Sequence, residues 1–155
     1  MLTYSDLQSL FTETKGIPDN QILFKEVFID PDQKVNKGLF ISLSDKNQEE
    51  ELKTALYNGA IGALWKKESH IPRFLPNHFP LFIVVNPVAA IQNVIEFCEK
   101  KEEEIGDDIE TRISLSYGNT HIDKGNTYDS AVINQINELK KKVEDSRNKR
   151  KGGES

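Results

Sequence analysis

Few side chains in this chain have the type and spacing that chemistry requires. The three histidines, His70, His78 and His121, could be offered as metal ligands. None stands at helical i, i+4 spacing from a second ligand, and two lie in a proline-rich loop, so surface histidines are the stronger reading. The single cysteine, Cys98, admits no internal disulfide and no zinc site of paired thiolates. It falls on an apolar helix face with no basic residue indicated beside it to favour the thiolate, which reads as a buried structural thiol. Asp30 and Asp32 are close enough to act as a carboxylate pair. With Pro31 between them, shaping a turn through Asx-type hydrogen bonds is the plainer role. A nucleoside-triphosphate site needs a glycine-rich loop ending Gly-Lys-Thr or Gly-Lys-Ser, where backbone N–H groups cradle phosphates and lysine neutralises them. The candidates are Gly118-Asn119-Thr120 and Lys124-Gly125-Asn126-Thr127, and neither puts lysine between glycine and a hydroxyl residue. A polar turn is the expected role of both. No catalytic residue, metal or cofactor is assigned.

The elements that would position any site follow from hydrophobic period and turn chemistry. Leu7, Leu10 and Phe11 give a helical stripe between Leu2 and Thr14, with Thr3 or Ser5 as cap. Gly16, Pro18 and Asp19 end it. Gln21 to Ile29 is rich in β-branched and aromatic residues and predicts a strand. Pro31 and Asp32 turn the chain, and Gly38 opens a second, buried strand over Leu39 to Leu43. A polar loop leads to a helix over Glu49 to Asn58, with Leu52, Ala55 and Leu56 inward and Glu49, Glu50 and Glu51 in the first turn, where the helix dipole favours negative charge. Gly59 is placed to end it, and Ile61 to Trp65 is the next strand. Trp65, at the strand end, could stack on a base or sugar, or cover a core edge. After a loop with prolines at 72, 76 and 80, Leu81 to Val85 predicts a central strand. Asn86-Pro87 then starts a helix in the preferred way, Asn as cap and Pro in the first position. Its stripe is Ala90, Ile91, Val94, Ile95 and Cys98.

Composition changes near Glu99, where an acid-rich stretch suits a frayed helix end and a linker. The expected organisation is an α/β domain over 1–101, a linker over 102–129 with an extra strand near Arg112 to Tyr117, an amphipathic helix over 130–148 and a disordered tail over 149–155. The fold class is α/β, a mixed sheet of about four to five strands flanked by helices, plus a C-terminal helix. The chain has 155 residues, one domain by the usual length prior, and carries 20 basic against 25 acidic side chains for a net charge of −5. That balance gives no general case for nucleic acid or an anionic membrane. The basic tail, Lys140 to Lys142 with Arg147 and Lys149 to Lys151, could touch an acidic partner or RNA. Without interleaved aromatics, a solvated helix is the favoured reading. No apolar run is long enough to span a bilayer and the N-terminus has no secretory pattern, so a cytoplasmic location is expected.

Val35, Gly38, Leu39 and Phe40, then Ala55, Gly59, Ala60 and Leu64, then Val84, Val85 and Ala90, fall in the order strand, helix, strand, strand, helix. Over about residues 1–101 this pattern resembles the N-terminal substrate-recognition domain of the Mur ligases, which add peptide residues to UDP-N-acetylmuramic acid. The resemblance implies a relative of that module without the ATP-binding domain, an enzyme only if a separate ATP-binding chain completes it. The family's Asp-Ser-Arg turn falls here on Pro31-Asp32-Gln33, and its glycine-containing uridine loop falls on Ser44 to Glu49, without glycine. Glycine's absence makes close approach to a nucleotide costlier. Asp32, Ser42, Ser44, Asn47 and Gln48, at the ends of the two early strands, are the residues the resemblance offers for a UDP-N-acetylmuramoyl peptide or a related UDP-sugar. The alternative is a scaffold that has lost that site. Its C-terminal stripe of Ile133, Ile136, Leu139 and Val143 would then dock a protein partner or a second copy, unless it simply packs on its own domain.

Overall fold

Unbroken apolar runs along the central parallel strands decide the layering, because they leave apolar side chains on both faces of the sheet to be covered. The computed structural model describes residues 1–44, 46–105, 111–115 and 130–152, and at 102–105, 130–133 and 146–152 only the backbone is described. Its strands are β1 (Leu2–Thr3), β2 (Thr14–Lys15), β3 (Leu23–Phe24), β4 (Glu26–Phe28), β5 (Gly38–Ile41), β6 (Ala60–Lys66), β7 (Leu81–Val84) and β8 (Arg112–Ser114). The helices are α1 (Tyr4–Leu10), α2 (Gln48–Tyr57), α3 (Pro87–Ile105) and α4 (Ser130–Gly152). Six strands form one mixed sheet in the order β2-β7-β6-β5-β4-β8, and β1 pairs with β3 in a small second sheet. All neighbours in the large sheet are parallel except β2, which runs antiparallel along β7.

Because successive side chains point to opposite faces of a strand, each of β4 to β7 feeds two cores. Val27, Leu39, Ile41, Leu64, Phe82 and Val84 meet α1, α3 and α4 on one face. Phe28, Phe40, Ala63, Trp65 and Leu81 meet α2 and the 67–80 segment on the other. Burial on both faces is what a parallel sheet demands, and the fold is α/β with helices on both sides.

Local signals place the helix ends. Thr3 caps α1, its hydroxyl accepting from the Asp6 N–H at 3.0 Å while the Asp6 carboxylate accepts from the Thr3 N–H at 3.0 Å, a reciprocal capping box. Asn86 caps α3 by accepting from the N–H groups of Val88 and Ala89. Gly59 follows α2 at φ +120°, and a Cβ there would collide with the Val35 carbonyl.

Several boundaries differ from the sequence expectation. The strand expected over Gln21 to Ile29 is divided: Leu23–Phe24 pairs with β1, whereas Glu26–Phe28 joins the large sheet. The last turns of α3 continue to Ile105, past the composition change at Glu99, because Lys101 reaches the Met1 carbonyl and the Asp6 carboxylate, both at 2.7 Å. The expected extra strand is present over Arg112–Ser114, on the edge beside β4. Helix α4 runs on to Gly152, into the segment that composition assigns to a tail. Ile136 and Leu139 are buried in the main core and Val143 packs against it, so the C-terminal stripe is used on this chain's own domain. The Ile133 side chain lies outside the described residues.

Candidate cleft at the strand carboxyl ends

Segment 67–80 leaves β6 toward the α2 face, while α3 leaves β7 toward the opposite face. Chain departures in opposite directions from neighbouring parallel strands open a crevice at their carboxyl ends, the usual place for a ligand in such sheets. A cleft of about 390 Å³ lies there. The ends of β5, β6 and β7 supply Ser42, Leu43 and Ser44, then Trp65 and Lys66, then Val85 and Asn86. The first turns of α2 and α3 add Gln48, Pro87 and Val88, and Gln135 closes one side from α4.

Three of the five residues offered for binding, Ser42, Ser44 and Gln48, therefore line one cleft. Asn47 is exposed next to Gln48 and does not line it. Asp32 sits one strand away, beyond the end of β4, where its N–H donates to the Asp30 carboxylate at 3.0 Å in the expected Asx turn. Ser42 and Ser44 are nearly buried, at 7% and 4% exposure. The Ser44 hydroxyl accepts from the N–H groups of Lys46 and Asn47, at 3.3 and 3.0 Å, and so holds the turn into α2. Gln48 donates from its side-chain amide to the Ser69 hydroxyl at 3.3 Å.

Glu51 belongs to the acidic first turn of α2 with Glu49 and Glu50, yet unlike them it is buried, with only 5% exposed. The Ser42 hydroxyl donates to its carboxylate at 3.2 Å. The signal was available: Glu51, Leu52 and Ala55 share the buried stripe of α2, and a carboxylate there requires a hydrogen-bond donor. Lys66 and Gln135 are also cleft residues that no sequence pattern singled out, and Asn86, read from sequence only as a helix cap, lines the cleft as well. Trp65 is buried, with its indole N–H donating to the His70 carbonyl at 3.2 Å, so it belongs to the core while also lining the cleft.

The other constellations stay structural. His70 pairs with Glu49 at 2.9 Å on the surface, His78 is exposed, and His121 lies outside the described residues. Among the described residues, no group of three metal-ligating side chains comes together. Cys98 is buried on the inward face of α3. Lys140 to Lys142 are exposed on α4, and Lys142 lies 3.6 Å from Glu96. The Gly118 and Lys124 turns lie outside the described residues. Among the described residues no helix is long and apolar enough to cross a membrane. Neither a protein-family model nor a curated protein matches the chain.

Proposed function

We propose that this chain is a recognition module, related to the UDP-N-acetylmuramoyl-peptide-binding domain of the cell-wall ligases, that holds a UDP-sugar precursor in the cleft between α2 and α3. The observation that carries this reading is the coincidence of the cleft with Ser42, Ser44 and Gln48, residues that the resemblance offers for the nucleotide. Its volume, about 390 Å³, falls in the range of roughly 300–1,000 Å³ usual for small-molecule sites. Apolar side chains of Val85, Pro87 and Val88 supply a wall for a planar ring, and hydroxyl and carboxamide groups supply direction. The N-terminal end of α3, with no acidic residue in its first turn, favours negative charge at the rim, which suits a diphosphate, and Lys66 lines the same rim. Cytoplasmic location fits a ligand of this class and is part of the same proposal.

Calorimetric titration with a UDP-N-acetylmuramoyl peptide tests it. Saturable heat accompanied by a rise in thermal midpoint is expected. No heat and no thermal shift at millimolar ligand would remove the reading and leave the scaffold alternative, in which α4 or another surface binds a protein.

A further inference from the structure

Two buried hydroxyls line the cleft, and their hydrogen-bond partners give them opposite polarity. A serine hydroxyl has one proton to donate and two lone pairs to accept with. Ser42 commits its proton to the Glu51 carboxylate at 3.2 Å and so turns lone pairs outward, as an acceptor. Ser44 uses its lone pairs on the N–H groups of Lys46 and Asn47 and keeps its proton, as a donor. Both lie on the α2 side of the extended chain leaving β5, since Leu39, Ile41 and Leu43 occupy the other side. By strand geometry their Cα atoms are about 6.6 Å apart, near enough for one planar edge to bridge the hydroxyls.

We infer that Glu51 is a positioning residue that fixes this polarity, so that the cleft selects a ring edge presenting an N–H beside a C=O, as the uracil imide does, over the reversed edge of cytosine. The inference rests on the nucleotide-sugar reading above and adds the group that sets its base selectivity. Glu51 touches no ligand. It acts through Ser42, whose free rotation would otherwise let the hydroxyl donate or accept alike. With the ribose and diphosphate held at the rim, so that the ring enters in the same orientation as uracil, cytosine offers an acceptor nitrogen to the Ser42 lone pairs and an amino group to the Ser44 proton, leaving both mismatched. A site built for one hydrogen-bond pattern rejects the other because its buried polar groups go unpaired.

Affinities of UDP, CDP and UDP methylated at the uracil N3 are measured by calorimetry on the unaltered chain. The expected result is UDP tighter than both analogues by at least about tenfold, the scale of one lost hydrogen bond. Glu51→Leu frees the Ser42 proton, so the UDP-to-CDP ratio should fall toward one while the circular-dichroism spectrum is kept. Glu51→Gln, whose amide oxygen still accepts, should keep part of the ratio, a rescue that simple packing would not give. Equal affinity for UDP and CDP in the unaltered chain overturns the inference and leaves the nucleotide-sugar reading standing. An undiminished ratio in folded Glu51→Leu does the same. Binding of none of the three overturns both. The N3-methyl comparison needs no variant, so misfolding of a Glu51 substitution cannot shield the inference.

Discussion

Asp6 meets several demands at once. Its carboxylate accepts from the Thr3 N–H and pairs with the Lys101 ammonium at 2.7 Å, with both side chains largely buried. Removing it takes away half of the capping box and the anchor of α3's last turns. Asp6→Ala should cost about 1–2 kcal/mol, read as a lower urea midpoint at unchanged slope. Thr111 is a second such residue. Its hydroxyl accepts from the Leu2 N–H and donates to the Phe24 carbonyl, both at 2.8 Å, in a buried bridge between the N-terminus, β3 and the approach to β8. Thr111→Val keeps the shape and strands two backbone groups, so a loss of about 1–3 kcal/mol is expected in the same measurement. At this scale, what the sequence made legible was local. The Thr3 cap, the Asn86-Pro87 start and the Asp30 turn each depend on partners within a few residues. Thr111 was illegible in that way because its partners arrive through the fold, Leu2 across 109 positions, whereas the burial of Glu51 was signalled by its place in the α2 stripe and only its donor, Ser42, was not.

Elements form where two periods agree with the punctuation between them. The stripe Ala90, Ile91, Val94, Ile95 and Cys98 is buried along α3 as its spacing requires, and β7 is apolar on both faces because both are covered. Strand ends were less legible. Gln21 to Ile29 has one continuous β-forming composition, but its two halves serve different sheets, a division set by where β1 and β5 lie. The turn after α2 is the most constrained junction. Gly59 at φ +120° lies against the Val35 carbonyl, its own carbonyl accepting from the Gly38 N–H at 3.1 Å. Gly59→Ala combines an unfavourable backbone with a collision and should destabilise by more than about 1 kcal/mol. Thermal unfolding would show it as a lower midpoint, and because Gly59 also sets the entry of β6, a weaker cleft ligand response should accompany it.

Across the whole molecule, the C-terminal helix joins the fold and the site. Ile136 and Leu139 fill the core under α3, and Gln135, beside them in sequence, faces the cleft. Ile136→Ala should therefore cost about 2–5 kcal/mol, as a buried apolar truncation does. Removing 130–155 should expose that core and yield aggregated or loosely packed protein, detected by dye binding and a lost cooperative melt. The α/β class and the helical stripe of this segment were readable from period alone. Its place as one wall of the cleft was not, because amphipathicity says that a helix has an inward face without naming what it packs on.

The cleft between α2 and α3 as a nucleotide-sugar site is the central claim, and the position-resolved response to ligand tests it most directly. Nitrogen–proton correlation spectra would be recorded while a UDP-N-acetylmuramoyl peptide is added. Trp65, the single tryptophan, gives an unambiguous indole signal at the cleft rim. The account predicts saturable shifts at the Trp65 indole, Ser42, Ser44, Val88 and the Gln48 and Gln135 side-chain amides. Spectra that stay unchanged to millimolar ligand, or shifts confined to surfaces away from these residues, would contradict it.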